Sequence, residues 1–293
     1  MKLKVLVYDI ETCLSLFWGF RPGKQVVRSN QLLDGYFMYN HIICITYGWV
    51  GQKKVHVLDW GKDGTTEKDM LLKFQELLEE ADIVIGKNNR RFDDKHITTN
   101  FWLNDIPMLK TMTEISDDLE TQIRKHFYLS SYSLDYVSKL KFGDGKKSML
   151  FSDWTSIAQK RLLDLLKTEG STKTSLTHTS SLLFNKELED VLKDGQKSLN
   201  KMLSYGKKDT ADTMRLIESV WPYIKPKFNP SKLAKQAGES VLRCRKCGST
   251  DIGPNGSGVS NGQLMQRYVC KNQKCRGNAG SLPITAGTQK YLR

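Results

Sequence analysis

The sequence predicts an α/β domain followed by a small cysteine-rich module at the C-terminus. Three observations support this prediction. Short runs of apolar and β-branched residues alternate with segments of helical periodicity up to about Lys225, the composition then changes abruptly to Lys, Pro, Ser and Gly, and four of the six cysteines follow within the last 50 residues. A chain of 293 residues has room for one full domain and one accessory module.

The opening run, KLKVLVYDIE, is typical of a buried strand whose far end carries two carboxylates. HIICITYGWV and KVHVLDW predict two further strands, and Gly51 and Gln52 predict the turn between them. We expect these three strands to form an antiparallel unit.

Helices and a fourth strand follow in alternation. TEKDMLLKFQELLEEA has apolar residues at helical spacing after a Thr capping signal, and ADIVIGKN predicts a short strand. DDKHITTNFWLND and SLDYVSKLKF predict helices, KTEGSTKTSLTHTSS predicts a polar loop, and a last helix is expected from about Lys186 to Val220. The predicted boundaries are a domain over residues 1–225, a basic linker over 226–240 and the cysteine-rich module over 241–293.

The formal net charge is +13, and most of it lies at the C-terminal end. Pro226 to Arg293 contains 12 Lys and Arg against 2 acidic residues, which gives +10. Such a basic stretch suits a polyanion, because neutralising phosphates releases counterions. A solubilising tail is the alternative interpretation. No apolar run approaches the roughly 18 residues that a membrane span needs, so we expect a cytoplasmic protein without a membrane partner.

The cysteines fall into two groups. Cys13 and Cys44 stand alone among apolar neighbours and are interpreted as small buried residues. The other four form C-x2-C and C-x4-C pairs separated by a 22-residue insert, which begins rich in Gly, Asn and Ser and ends in an apolar strand. In a cytosolic chain this spacing indicates one structural Zn²⁺ in a ribbon of two hairpins rather than disulfides. The predicted zinc ligands are Cys244, Cys247, Cys270 and Cys275.

Basic side chains surround these cysteines and favour nucleic-acid binding by the module, with docking of a replication or repair protein as the alternative. The basic residues are Arg243, Arg245, Lys246, Arg267, Lys271, Lys274 and Arg276.

Acidic residues at three places in the first domain are candidates for chemistry. Asp9 and Glu11 lie two apart on the first strand and share a face, where a divalent cation would offset their repulsion. The alternative is that they cap the strand in solvent. Asp93 and Asp94 follow the fourth strand, and one of them is expected to point inward. On the last helix, YGKKD places Tyr205 and Asp209 four apart and therefore on one face, with Asp212 three further on.

These segments, in this order, resemble the DEDD (DnaQ-like) 3′-to-5′ exonuclease superfamily in its tyrosine-containing branch. YDIET is similar to the first family motif, GKNNRRFD to the second and YGKKD to the third. SLDYVSKL and KSLNKMLSYGKKDTADT extend the resemblance to stand-alone bacterial and phage exonucleases, and CRKCG and YVCKNQKC resemble their terminal zinc ribbon. The matched motif residues are Asp9, Glu11, Asn88, Phe92, Asp93, Tyr205 and Asp209.

The resemblance implies a ribonuclease H-like mixed five-stranded sheet flanked by helices, and a two-metal hydrolysis of phosphodiester bonds with Mg²⁺ or Mn²⁺. Asp9 would bridge both ions, Glu11 and Asp209 would complete the site that activates water, Asp93 would hold the second ion, and the Tyr205 hydroxyl would orient the nucleophile. By the same analogy Thr12, Asn88 and Phe92 would form the nucleic-acid-binding part of the site. Thr12 would contact the terminal nucleotide, Phe92 would pack near the site, and Asn88 would hydrogen-bond around the second motif. Asp94 and Asp212 are interpreted as structural or solvated, and His96 as structural.

The implied substrate is DNA, expected to be single-stranded, in a bacterial cell or in the host cytoplasm of a phage. Two alternatives stay open. One is a 3′-to-5′ exonuclease of RNA, which depends on whether the pocket recognises the 2′-hydroxyl. The other is an adaptor that binds nucleic acid without cutting it, against which the four mutually repelling carboxylates argue.

Overall fold

The computed structural model describes residues 4–14, 41–60, 66–108, 111–144, 149–224, 244, 249–260, 263–272 and 278–283. The chain divides into two compact units, Met1–Lys225 and Pro226–Arg293. The predicted linker over 226–240 lies outside the described residues.

The first unit is built on a mixed five-stranded sheet. Its strands are β1 (Val5–Thr12), β2 (Ile42–Trp49), β3 (Val55–Asp59), β4 (Ile83–Gly86) and β5 (Ser116–Asp118). Their order is β3-β2-β1-β4-β5, in which β1 pairs antiparallel with β2 and β2 with β3, whereas β4 runs parallel to β1 and β5 parallel to β4. The α/β class, the antiparallel three-stranded unit and the mixed sheet are therefore confirmed, and the sheet is compatible with the ribonuclease H-like fold.

Helices flank this sheet. They are α1 (Glu67–Glu80), α2 (Asp93–Leu103), α3 (Met112–Ile115), α4 (Leu119–His126), α5 (Leu134–Phe142), α6 (Phe151–Thr168), α7 (Lys173–Phe184) and α8 (Leu188–Val220). The predicted helices at α1, α2, α5 and α8 are confirmed, and α1 begins with a capping box between Thr66 and Asp69. No helix in the described part of the chain is both long and apolar enough to cross a membrane.

The predicted polar loop after Thr168 is wrong, because most of it forms α7. The Thr172 hydroxyl accepts a hydrogen bond from Ser175 N and caps this helix, and the helix buries Leu176 and Ser180. Its hydroxyl-rich composition is typical of loops and also of the first turn of a helix. Residues that compete for backbone hydrogen bonds inside a helix also favour its first turn, where they start it.

The sheet is buried on both faces. Alternate residues of β1, among them Leu6, Tyr8 and Ile10, join a hydrophobic cluster with side chains of α1 and α2. The opposite face contacts α6 and α8 through a second cluster. This second cluster contains Cys13 and Cys44, both buried, which confirms the interpretation of these two cysteines as small buried residues.

The second unit contains a three-stranded antiparallel sheet, β6 (Ile252–Ser260), β7 (Gln263–Cys270) and β8 (Asn278–Pro283), in the order β6-β7-β8. The Gly-, Asn- and Ser-rich start of the cysteine insert forms β6, which pairs with β7 as a hairpin. Pairing with the apolar β7 outweighs its low strand propensity. Gly256 takes a positive φ of 71° where the register shifts between Pro254 and Ser257.

Candidate active site

Asp9 and Glu11 lie near the end of β1, where the sheet is open. Asp9 is opposite Thr46 and Glu11 is opposite Cys44 on β2, and the register shifts between Glu11 and Thr12. Such a bulge redirects side chains and is common beside active sites. Burial raises the pKa of the Cys44 thiol, and the charges of Glu11, Asp59 and Asp9 raise it further. The charges of Asp9 and Glu11 are therefore both close enough to Cys44 on β2 to affect its pKa.

Only one residue of the pair Asp93 and Asp94 was expected to point inward, but both are buried, because each finds hydrogen-bond donors on or beside the sheet; Asp93 is the first residue of α2. Strand β4 pairs with β1 only along Val5–Val7, and further along β1 the Ile10 backbone N–H donates to Asp93 Oδ1 at 3.0 Å. Burial and the nearby charge of Asp9 raise the pKa of Asp93 to about 8. The structure therefore places Asp93 beside Asp9, and the two negative charges oppose each other.

Asp94 has a structural role. Its carboxylate accepts hydrogen bonds from Tyr8 Oη at 2.6 Å, Ser116 Oγ at 2.6 Å and Asn89 Nδ2 at 3.2 Å. These donors come from β1, β5 and the loop after β4, so the bonds fix the start of α2 against the sheet. Burial, together with Asp94 and Asp93, raises the pKa of Tyr8 well above its usual range.

The amide that supports the second motif is Asn89, whereas Asn88 had been expected to hydrogen-bond there. Asn89 is fully buried and also donates to Ser116 Oγ at 2.9 Å. Asn88 has a φ of 63°, a left-handed conformation that Asn tolerates better than most residues, and its carbonyl accepts a bond from Arg91 N. The sequence alone does not show which of the two adjacent asparagines makes the hydrogen bonds and which adopts the left-handed backbone conformation.

Phe92 and Thr12 lie at the edges of this region. Phe92 is 40% exposed, and its ring centroid is 4.4 Å from that of His96, one turn further along α2. Burial lowers the pKa of His96. Thr12 is half-buried beyond the bulge of β1. Phe92 thus combines a packing contact with an accessible ring face.

Helix α8 brings Tyr205 and Asp209 to the level of Asp9. Both residues are buried. The Thr46 hydroxyl lies 2.6 Å from the Thr210 hydroxyl, 3.2 Å from the Gly206 carbonyl oxygen and 3.4 Å from the Asp9 carbonyl oxygen. Thr46 therefore connects the strand position of Asp9 to the turn of α8 that carries Tyr205 and Asp209.

Asp212, the rival of Asp209, belongs to a structural ion-pair group. It pairs with Lys208 at 2.7 Å and lies 3.6 Å from Arg215 Nη1, and both cations also approach Asp144.

Among the candidate acidic residues, Asp9 and Asp93 are the pair whose charges interact. Within the described ranges, however, no three His, Cys, Asp or Glu side chains converge tightly enough to hold a metal ion. The donors available here are carboxylates, which suit a hard divalent cation such as Mg²⁺.

In the second unit, the structure describes two of the four predicted zinc ligands. Cys244 and Cys270 are buried in one cluster with Tyr268, and Cys244 N donates to Ser249 O at 2.8 Å. Cys247 and Cys275 lie outside the described residues.

Two of the predicted basic contacts of the second unit are also described. Arg267 lies close to Gly258, where a Cβ would come within 2.5 Å of Arg267 Nη2, and Lys271 lies equally close to Gly253. Arg243, Arg245 and Lys246 lie outside the described residues.

Comparison with solved structures finds a family B DNA polymerase from the hyperthermophilic archaeon Pyrobaculum calidifontis, with a TM-score of 0.43 and 12% sequence identity. The match covers 76% of this chain and 25% of that polymerase chain, so this chain spans about a quarter of the polymerase's length. The similarity is weak. No protein-family model matches the sequence, and no curated protein matches it either.

Proposed function

We propose that this protein is a metal-dependent 3′-to-5′ exonuclease that hydrolyses phosphodiester bonds of single-stranded DNA. The observation that carries the proposal is the pair Asp9 and Asp93, in which burial and the second carboxylate raise the pKa of Asp93 to about 8. Strongly shifted carboxylates are concentrated at functional sites, because a fold gains no stability from placing two of them together.

In this proposal Asp9, Glu11, Asp93 and Asp209 hold two Mg²⁺ or Mn²⁺ ions. Bound in such a site, two divalent ions supply an activated water and stabilise the departing 3′ oxygen. Asp9 would help to hold both ions. Asp93 and Asp209 are buried, and bound cations would offset the cost of burying their charges, which supports the assignment.

Other side chains are assigned to positioning. The Tyr205 hydroxyl would orient the nucleophilic water, and its place one turn before Asp209 on α8 supports this role. Phe92 offers an accessible ring face for the terminal base, and Thr12 a hydroxyl beyond the bulge. Asn88 is assigned to shaping the loop through its left-handed backbone.

For the second unit we propose a zinc ribbon that binds nucleic acid, with one structural Zn²⁺ held by Cys244, Cys247, Cys270 and Cys275. The burial of Cys244 and Cys270 in one cluster supports this assignment. The positions of Arg267 and Lys271 along β7 and just beyond it support a cationic surface.

The test uses 5′-labelled single-stranded DNA and RNA of one sequence, with Mg²⁺, Mn²⁺ or EDTA. We expect a ladder that shortens from the 3′ end, requires metal and disappears in Asp9→Asn and Asp209→Asn. The matched control is Glu76→Gln, an exposed carboxylate on α1, which should cleave like the unchanged protein. Intact strands under all metal conditions, from a protein that still binds them, would contradict the proposal.

A second candidate function is an adaptor that binds nucleic acid without cutting it. The specific observation in its favour is that no three acidic side chains converge as metal ligands in the described part of the chain. Calorimetric titration with Mn²⁺ separates the two functions. The exonuclease requires Mn²⁺ binding that Asp9→Asn weakens, whereas the adaptor requires none.

A further inference from the structure

A group of aromatic side chains lies at the end of α4, in the loop that follows it and beyond the end of α8. Tyr128 is fully exposed, and Tyr223 is 66% exposed. The rings of Phe127 and Tyr223 meet edge to face, with centroids 5.9 Å apart. Together with Tyr132, these residues are called the aromatic platform below: Phe127, Tyr128, Tyr132 and Tyr223.

Cations stand beside the aromatic platform. The last turn of α4 contains Arg124, Lys125 and His126. The Arg124 guanidinium lies 4.2 Å from the centre of the Tyr132 ring, and the Tyr132 hydroxyl donates to the Phe127 carbonyl at 3.1 Å. Contacts therefore fix these rings next to two exposed cations, of which Arg124 also pairs with Glu120, and the exposed Tyr128 directly follows Phe127.

Ion pairs connect this surface to the second acidic motif. Lys87 directly follows β4 and precedes Asn88, and its Nζ donates to Glu120 Oε2 at 2.7 Å. The other oxygen of Glu120 accepts from Arg124 Nε at 2.9 Å. The loop that leads to Asp93 is thereby linked through α4 to the aromatic platform.

We propose that the aromatic platform binds single-stranded nucleic acid, with bases stacked on Tyr128 and Tyr223 and phosphates next to Arg124 and Lys125. Large exposed rings are costly to hydrate, and unpaired bases offer the π faces that cover them. A duplex keeps its base faces stacked inside along its length, so between its ends it offers phosphates and groove edges rather than π faces. The inference rests on the proposed function for the choice of partner, and it adds a binding surface outside the candidate active site.

Within the platform, Tyr223 lies well away from Asp209 along the chain direction of α8. Asp209 and Tyr223 are 14 positions apart on α8 and the turn that ends it, which at about 1.5 Å per residue is about 20 Å. At about 3.4 Å per nucleotide, that distance corresponds to about six stacked nucleotides. A strand whose 3′ end lies at Asp209 would reach Tyr223 only when it is longer than this.

The experiment measures binding of 5′-fluorescein-labelled dT12 and rU12 to the full chain by fluorescence anisotropy, in EDTA so that nothing is cleaved. Tyr128→Ala and Tyr223→Ala should each weaken binding at least about fivefold, the lower end of the loss expected for one base–ring stack. The matched control is Trp102→Ala, because Trp102 on α2 is 76% exposed and outside the platform. We expect the control to bind as tightly as the unchanged protein.

Charge and strand type provide two further readouts. Lys125→Gln should reduce the slope of log affinity against log salt by about 0.7, the value for one lost phosphate contact on a single strand. Binding of a 12-base-pair duplex should be the same for Tyr128→Ala and the unchanged protein. Equal losses for dT12 and rU12 would indicate recognition of stacked bases irrespective of sugar.

The platform and the exonuclease can fail separately. If the unchanged protein does not degrade DNA but Tyr128→Ala still loses affinity for dT12, the proposed function fails and the platform stands. If both tyrosine variants bind dT12 as tightly as Trp102→Ala does, or if the unchanged protein does not bind dT12, the platform is overturned. Because Tyr128 is fully exposed, an unchanged melting temperature is expected for its variant and excludes misfolding.

Discussion

Replacing Gly206 with Ala should disturb the candidate active site through a single methyl group. Gly206 packs against Thr46, and a Cβ at this glycine would lie 2.9 Å from Thr46 Cγ2, closer than such contacts allow. The turn of α8 that would have to move carries Tyr205 and Asp209, and the strand on the other side carries Asp9 opposite Thr46. A shift of a few tenths of an ångström would therefore change the position of Asp209 relative to Asp9.

Two opposing contributions determine how Gly206→Ala changes the free energy of unfolding. Overpacking a core costs about 1–3 kcal/mol, and Ala is more favourable than Gly within a helix by about 1 kcal/mol. Gly206→Ala should therefore lower the free energy of unfolding by about 0–2 kcal/mol. Thr46→Ser keeps the hydroxyl that meets Thr210 and removes the obstructing methyl, at a cost of about 1 kcal/mol.

Combining the two substitutions tests the contact directly. With the Thr46 methyl absent, the new alanine at position 206 has space, so the costs should not add. We expect a coupling of about 1–3 kcal/mol between positions 46 and 206, which is within the range measured for residues in contact. Cleavage by Gly206→Ala should fall about tenfold or more, since small misplacements of reacting groups have large effects, and Thr46→Ser should restore much of it.

Gly195→Ala is the matched control, since it makes the same change on the same helix away from the carboxylates. A Cβ there would lie 2.4 Å from Lys160 Cβ and 2.8 Å from the Ser156 carbonyl oxygen. Neither atom is the end of a flexible side chain, so the loss of stability should equal or exceed that of Gly206→Ala. Cleavage should change much less, because position 195 is about 20 Å from Asp209 at 1.5 Å per residue.

Stability is measured by urea unfolding followed through tryptophan fluorescence. All six tryptophans precede residue 226, so the signal reports on the first unit alone. Cleavage is measured in single turnovers of 5′-labelled dT12. The reasoning is refuted if the costs at positions 46 and 206 simply add, or if Gly195→Ala and Gly206→Ala lose cleavage to the same extent.

Three further predictions follow from the same region. The pKa of Asp93 is raised to about 8 in the folded chain, so between pH 5 and 8 the folded state holds a proton that the unfolded state, with an ordinary carboxyl pKa, has already released. Without metal, the urea midpoint should therefore fall as pH rises from 5 to 8. Asp93→Asn should remove most of this dependence on pH. Asp94→Asn should instead lower the free energy of unfolding by about 2 kcal/mol at pH 7, because it weakens hydrogen bonds from Tyr8 and Ser116 to a buried charge; an unchanged urea midpoint would contradict its structural role. Asn88→Gly should change the free energy of unfolding by only a few tenths of a kcal/mol, whereas Asn88→Ala should lower it by about 1 kcal/mol because φ is positive at this position. If the Gly variant is fully stable but loses binding of dT12, the Asn88 side chain contacts nucleic acid.

Periodicity identified the parts of the fold that bury large faces. Strands β1 to β4 are dense in branched apolar residues, and α1 and α8 have long amphipathic patterns, so their positions followed from the sequence. Strand β5 was missed because its three residues, Ser116 to Asp118, are all polar. They form a strand because β4 offers an open edge and because Asn89 and Asp94 bind the Ser116 hydroxyl, which are long-range conditions that no local pattern contains.

The candidate site was less predictable than the sheet that carries it. Spacing grouped Asp93 with Asp94, and Asn88 with Asn89, but it could not assign roles within either pair, because these depend on which side chain meets β1 and β5. The contact between Thr46 and Gly206 was also invisible in the sequence, since it joins positions 160 residues apart.

The adjacent residues Asp93 and Asp94 have opposite effects on the stability of the fold. Asp94 has three hydrogen-bond donors around its carboxylate, which compensate its burial and fix the first turn of α2. The fixed first turn of α2 holds Asp93 beside Asp9, where a charge on Asp93 is unfavourable. The hydrogen bonds of Asp94 therefore offset the destabilising effect of Asp93. A cation that binds both Asp9 and Asp93 must displace the proton that Asp93 retains, so affinity for Mn²⁺ should rise with pH up to about 8. Stability and function at this end of the sheet are therefore linked through the same carboxylate.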